Sequence, residues 1–125
     1  MNTEAFKSAY NASRNGLNSR IRHPLARTFV YSDGVEECAD AGCHWLLDII
    51  GTEVVPAYKN LCTGNMGIIF VRVANDAATI KLEMEDDMPA AWSRNIEYTD
   101  MPPGEWAFYL SNEGDHCLLI LPTEY

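Results

Sequence analysis

The sequence has no apolar run that approaches the roughly 18 residues a membrane-spanning helix needs. Its first residues, Met-Asn-Thr-Glu, also lack the apolar stretch of a secretory signal. These two absences predict a cytoplasmic protein that does not contact a membrane.

The familiar signatures of catalysis and cofactor binding are missing as well. The chain contains no glycine-rich phosphate loop, no Gly-x-Ser-x-Gly and no His-Glu-x-x-His. An acidic run is present, but it lacks the ordered Asp-x-Asp-x-Asp-Gly pattern of a calcium loop. We therefore expect no catalytic residue and no cofactor, and a protein that acts by binding without turnover.

Cysteine is present, but not in a metal-binding pattern. None of the four cysteines forms the C-x2-C pair typical of a structural zinc site. In a cytoplasmic protein such thiols are ordinarily reduced and packed in the core. The sequence therefore predicts free thiols and no bound metal at Cys38, Cys43, Cys62 and Cys117.

Positive charge is scarce after residue 31. The first 31 residues carry five bases and one acid, a net charge of +4, whereas the rest carries four bases and 17 acids, a net charge of −13. These two parts give the −9 of the whole chain. An acidic body repels phosphates, so we expect no direct contact between this body and nucleic acid. The pattern predicts a basic arm or lid over residues 1–27 and one acidic domain over residues 28–125.

A helical pattern begins after Ser32. Ser32 is a favourable N-cap, and acids in the following turn suit the positive end of the helix dipole. Apolar residues then recur at helical spacing from Val35 to Ile50. Gly42 is a candidate break within this segment, and Gly51 is expected to end it. Helix is therefore predicted for much of residues 32–50.

After Pro56 the apolar residues recur at every second position. This alternation predicts strands at 68–73, 79–84, 105–110 and 117–121, with another near Ile96 and Tyr98. Asn75 and Asp76 separate the first two runs and predict a hairpin. Helices first and strands second indicate an α+β domain. We expect N-terminal helices packed on one face of an antiparallel meander sheet of about four to five strands.

One polar stripe crosses the predicted helix. Glu36, Asp40, His44 and Asp48 recur every fourth residue, which places them on one face of an unbroken helix. Two interpretations remain open at this point. The first, which the ordinary occurrence of such charge pairs favours, is a solvated helix face. The second gives His44 an acid–base or metal-ligand role.

An enzyme remains the alternative from a different functional class. It would be a small thiol- or metal-assisted enzyme that uses Cys43, His44 and Asp48. Adjacent residues on a helix point about 100° apart, so Cys43 and His44 cannot form a dyad with each other. A partner from another element, such as His116, would be required.

The densest acidic run lies at residues 83–87, where four of five residues are acids. Such a run favours contact with a basic partner. Trp92 lies in a predicted loop, where an aromatic side chain can anchor an interface, although burial in the core is more common. The predicted partner-binding residues are Glu83, Glu85, Asp86, Asp87, Glu97, Asp100 and Trp92.

Four segments together resemble a known sequence pattern. They are Tyr-Ser-Asp-Gly-Val at 31–35, Gly-Cys-His-Trp-Leu-Leu-Asp at 42–48, Tyr-Thr-Asp-Met-Pro-Pro-Gly-Glu-Trp at 98–106 and Leu-Pro-Thr-Glu-Tyr at 121–125. In this order they resemble an uncharacterised domain family, a domain of unknown function, of bacteria, phages and other mobile elements. The usual pattern has a small residue and an aromatic where this chain has Cys43 and His44. The resemblance therefore implies a lineage over roughly residues 23–125 and a mobile-element setting, without an activity or a site.

That setting shapes the functional hypothesis. Small acidic proteins of phages are often inhibitors of host defence, among them anti-CRISPR proteins and DNA mimics. By this analogy we expect a phage or mobile-element counter-defence protein. It would occupy a basic nucleic-acid site on a host protein with its acidic side chains. A further alternative is an interaction subunit whose basic N-terminal arm contacts DNA or another chain.

Overall fold

The computed structural model describes residues 1–12, 19–84 and 88–125. The helices are α1 (Thr3–Asn11), α2 (Asp33–Asp40), α3 (His44–Ile49) and α4 (Val55–Asn60). A π-helical segment (Ile50–Val54) joins α3 to α4, and a 3-10 turn (Pro122–Glu124) follows the last strand. The strands are β1 (Arg20–Arg22), β2 (Phe29–Ser32), β3 (Gly67–Ala74), β4 (Ala77–Glu83), β5 (Trp92–Ile96), β6 (Gly104–Asn112) and β7 (Cys117–Ile120).

Among the described residues, the strands form one sheet in the order β1-β2-β7-β6-β3-β4-β5. Every neighbouring pair is antiparallel except β2 and β7, which are parallel. The α+β class is confirmed. The predicted size of four to five strands is wrong, because the described residues form seven. The predicted simple meander is also wrong, because β6 returns to pair with β3 instead of β5.

The hairpin prediction is confirmed in detail. Ala74 pairs with Ala77, so only Asn75 and Asp76 form the turn between β3 and β4. Both turn residues have positive φ angles, 53° and 62°, as a two-residue turn that follows the strand twist requires. This register places Ile69, Val71 and Val73 on the face that packs against the helices, where all three are buried.

The strand after this hairpin lies earlier than predicted. We expected it near Ile96 and Tyr98, but β5 runs from Trp92 to Ile96, and Trp92 pairs with Leu82. Trp92 is half-buried and packs against the core. The expectation of a loop at Trp92 is therefore wrong, because main-chain pairing with β4 begins at this residue.

The helical prediction after Ser32 is confirmed, and its predicted end is wrong. The Ser32 side chain accepts from the Val35 amide at 3.1 Å, which is the expected N-cap. The break falls at Gly42, whose φ of 127° is strained for a residue with a side chain. The helical backbone nevertheless continues through Gly51 to Asn60. Ile50, Gly51 and Val54 of the π-helical segment are buried, and this packing outweighs the low helix propensity of glycine.

The described parts of the N-terminal segment pack on the rest of the domain. Phe6 of α1 is fully buried, and its ring meets the Trp106 ring edge-on at 5.0 Å. The Tyr10 hydroxyl donates to the Ala107 carbonyl at 3.1 Å and accepts from its amide at 2.9 Å. β1 forms an edge of the sheet beside β2. These contacts attach both α1 and β1 to the rest of the domain.

The main core lies between the helices and one face of the sheet. Its largest fully buried side chains include Phe6, Phe29, Tyr58 and Phe108. Val30, Leu118 and Ile120 form a second, smaller apolar cluster that is separate from the main core. Over residues 1–12, 19–84 and 88–125, no helix is both long and apolar enough to cross a membrane.

Candidate functional site

Those predicted partner-binding residues that the structure describes do not form one patch. Glu83 ends β4, near Trp92 at the start of β5, whereas Glu97 follows the far end of β5. Residues 78 and 83 of β4 are about 17 Å apart at the usual rise of a strand, and Ile96 pairs with Ala78. Glu83 and Glu97 therefore lie at opposite ends of the same strand pair.

Two of these carboxylates have a positive partner. The Arg72 guanidinium lies 3.5 Å from Glu83 and 2.7 Å from Glu105 on the neighbouring strand. Asp100 forms an ion pair with the amino group of Met1, which lowers the pKa of this carboxyl. Both contacts offset part of the negative charge that was predicted to face a basic partner. Glu85, Asp86 and Asp87 lie outside the described residues.

Glu97 lies on the rim of an open depression of about 410 Å³ beside the β3–β4 hairpin. Its apolar lining includes three alanines and Val73, and its polar residues are Arg72, Thr79, Asn95 and Glu97. Thr79 donates to Asn95 at 3.1 Å, and Arg72 is held by Glu105. Thr79 and Asn95 therefore bond to each other, whereas Arg72 bonds to a residue that does not line the depression.

The polar helix stripe divides into two parts. Glu36, Asp40 and His44 converge: their donor atoms all lie within 4.8 Å of one another. His44 Nε2 lies 2.9 Å from Asp40 Oδ1, and both side chains are more than half exposed. Asp48 is not part of this group, because its carboxylate pairs with His23. The structure therefore keeps three of the four predicted residues together.

His23 is a structural histidine that the sequence analysis did not identify. It is 3% exposed, and its Nδ1 accepts from the amides of Leu25 and Ala26 at 3.2 and 3.0 Å. The ring proton is therefore on Nε2, which donates to Asp48 Oδ1 at 2.8 Å. This side chain fixes the turn after β1 to helix α3. Its only sequence signal is the proline that follows it.

We expect His23→Ala to lower the free energy of unfolding by about 2 kcal/mol, because two partly buried amides lose their acceptor. His44→Ala is the matched control, since it removes a histidine–aspartate pair that is exposed, and it should cost less than about 0.5 kcal/mol. Urea unfolding of both variants measures the difference. Equal losses would show that the His23 contacts contribute no more than a surface pair.

A buried tyrosine lies next to the converging group. Tyr31 of β2 is 5% exposed, and it lies close enough to the Glu36 carboxylate to feel its charge. Burial, followed by the charge of Glu36, raises the pKa of Tyr31 to about 12. The hydroxyl therefore keeps its proton at neutral pH.

Cys43 is poorly placed for the thiol chemistry of the enzyme alternative. It is 2% exposed, and burial raises its pKa to about 12, which leaves it a neutral thiol. Its sulfur contacts the Cys38 carbonyl at 3.4 Å, while His116 pairs with Asp115 at 2.6 Å. Neither His44 nor His116 thus serves as its base.

Another buried carboxylate connects two of the segments that carry the family resemblance. Glu124 is 4% exposed, and its Oε1 accepts from the Ser32 hydroxyl at 2.5 Å and from the Leu121 amide at 2.9 Å. A side-chain carbon at Gly34 would lie 2.6 Å from Oε2, so this close approach requires glycine. These signature residues therefore hold the start of α2 against the chain's last turn, which is a structural role.

Comparison with known proteins gives one family match. The model of a family of unknown function, DUF6876, matches residues 8–125. No curated protein and no solved structure matches this chain.

Proposed function

Because the chain belongs to the DUF6876 family, whose function is unknown, we propose a function from its own charge distribution. The protein is a counter-defence binding protein of a phage or mobile element, resembling anti-CRISPR inhibitors in its mode of action. It occupies a basic nucleic-acid-binding surface of a host protein in the cytoplasm. It binds this partner without turnover and without a cofactor.

The observation that carries the proposal is the segregation of charge on the helical layer. Between Ser32 and Tyr58 the chain has six acids and no base. Glu37, Asp40 and Asp48 of α2 and α3 are exposed. Arg94 pairs with Glu53, but the segment keeps an excess of negative charge, which attracts a partner of the opposite sign and raises its association rate.

This helical surface, and not the β4–β5 region, is the contact surface we propose. Glu97 is exposed but lies at the other end of the strand pair from Glu83. Glu85, Asp86 and Asp87 remain a second acidic region in the proposal, and an experiment can compare the two regions directly.

The enzyme alternative has less support, because Cys43 is a buried neutral thiol and Asp48 is hydrogen-bonded to His23. The other alternative, binding through the basic segment, has one structural feature in its favour. Arg20 and Arg22 are exposed on β1, at an edge of the sheet. The same experiment tests this edge.

We expect the double charge reversal Glu37→Lys with Asp40→Lys to slow association with the host partner about 10-fold at low salt. The partner is first captured from a bacterial lysate and purified, and association is then followed across a salt series. EDTA is present throughout, so that a bound metal ion has no influence. Added salt should strongly slow the association of the wild-type protein with its partner, because salt screens exposed charges.

Two matched double reversals serve as controls. Asp86→Lys with Asp87→Lys tests the second acidic region, and Arg20→Glu with Arg22→Glu tests the basic edge. Each changes the net charge by the same magnitude as the helical variant, although the arginine variant changes it in the opposite direction, and circular dichroism checks that each one folds. A larger effect of Asp86→Lys with Asp87→Lys would move the contact surface to that second acidic region. A larger effect of the arginine variant, or an association rate independent of salt, would overturn the acidic-surface proposal.

A further inference from the structure

We propose that Glu36, Asp40 and His44 form a binding site for a divalent transition-metal ion of the class of Zn²⁺ and Co²⁺. The site goes beyond the proposed function and does not depend on it. It is the one group of at least three such donors found close together among residues 1–12, 19–84 and 88–125.

The spacing of the donor atoms is close to what coordination requires. Zinc bonds to imidazole nitrogen and carboxylate oxygen are about 2.0–2.2 Å long, which holds neighbouring ligand atoms about 3–4 Å apart. Here the three donors lie within 4.8 Å of one another, and Asp40 Oδ1 lies 2.9 Å from His44 Nε2. Asp40 and His44 are 60% and 55% exposed, so rotation of their side chains can bring them into position.

The fold presents these side chains from two helices. Glu36 and Asp40 lie one turn apart on α2, and His44 is the first residue of α3. The break at Gly42 interrupts the helix between them, yet the histidine remains on the side of the two carboxylates. The arrangement therefore does not require the unbroken helix that the sequence pattern assumes.

A second observation, independent of this spacing, concerns one oxygen of Glu36. Its Oε2 is shielded from solvent and has no hydrogen-bond partner among the described residues. A carboxylate oxygen that lacks both water and a donor is unfavourable, and a bound ion or water is a common explanation. A cation held by Asp40 and His44 would satisfy this oxygen.

Tyr31 supplies the support that metal-binding carboxylates usually have. The buried tyrosine lies beside Glu36, so it limits the orientations open to the carboxylate. Such outer contacts hold a ligand in place before the ion arrives. Tyr31 is a positioning residue in this site and not a ligand.

The donor types select the class of ion. One imidazole with two carboxylates suits zinc and its neighbours, whereas Ca²⁺ and Mg²⁺ prefer oxygen ligands alone. The described chain offers three ligands, and two of them are more than half exposed. A bound ion would therefore keep a position open to water or to a ligand from another molecule.

The test is a titration of the EDTA-treated and dialysed protein with Co²⁺, followed by visible absorption. We expect bands that saturate at one ion per chain and that Zn²⁺ abolishes by displacement. Glu36→Gln and His44→Ala should each weaken Co²⁺ binding at least 10-fold, on the order of the effect of losing contacts around a metal. His44 is exposed, so the second variant should fold, and circular dichroism confirms this.

The control is His116→Ala. His116 also pairs with a carboxylate, Asp115, but this pair belongs to no group of three donors in the described part of the chain. Co²⁺ affinity should stay within about 2-fold of the wild type, as expected for a residue that is not a ligand. The proposal is overturned if no bands develop, if His44→Ala binds as well as the wild type, or if His116→Ala loses as much affinity.

Discussion

Replacing Glu124 with alanine is expected to lower the free energy of unfolding by about 3 kcal/mol. The carboxylate is the acceptor for the Ser32 hydroxyl and the Leu121 amide, and both bonds are buried. Alanine leaves these two donors without a partner in a place that water does not reach. Ser32 also caps α2, so the start of this helix should loosen as well.

Chemical denaturation of the wild type, Glu124→Ala and Glu124→Gln measures this effect. Glutamine retains a carbonyl oxygen that can replace Oε1, so Glu124→Gln should lose less than half as much stability as the alanine variant. An alanine variant as stable as the wild type would show that the contact between α2 and the final turn is not structural. A functional role for these signature residues would then be the better interpretation.

Phe6→Ala is expected to cost about 3–5 kcal/mol of unfolding free energy, as for other large aromatics removed from a core. The ring is fully buried and contacts Trp106 edge-on. Tyr10, one turn later, stacks at 6.1 Å from Phe6 and bonds to the backbone of β6. The loss of Phe6 therefore opens a cavity between α1 and the sheet.

Lys7→Ala is the matched control, because Lys7 is the next residue of α1 and is exposed. It should change stability by less than about 0.5 kcal/mol. If Phe6→Ala unfolds at the same denaturant concentration as Lys7→Ala, the N-terminal helix contributes nothing to the core. It would then be the detachable arm that the sequence alone allowed.

Local signals in the sequence predicted the elements that depend on local contacts. The Ser32 cap and the Gly42 break follow from neighbouring residues, and both are in the structure. The β3–β4 hairpin needs only Asn75 and Asp76 and the alternation on either side. In each case the information lies within a few residues of the feature.

The missed elements depend on contacts between distant parts of the chain. β2 is buried at all four positions, so it shows no alternation, and β1 has only three residues. β2 pairs in parallel with β7, far along the chain, which periodicity does not reveal. The helix continues through Gly51 because tertiary packing outweighs the low helix propensity of glycine.

The prediction of the candidate site likewise succeeded for local contacts and failed for contacts between distant residues. Spacing of four residues correctly grouped Glu36, Asp40 and His44, even across a helix break. It wrongly added Asp48, because the buried His23, 25 residues earlier, provides a stronger partner. It also missed Tyr31, whose contact with Glu36 depends on how β2 packs beside α2.

Competition with duplex DNA for the purified host partner tests the central proposal most directly. If the acidic helical surface occupies a nucleic-acid site, the protein and the DNA should exclude each other from the partner. Glu37→Lys with Asp40→Lys should then displace DNA less effectively than the wild type at equal concentration. A ternary complex of partner, DNA and this protein would contradict the account.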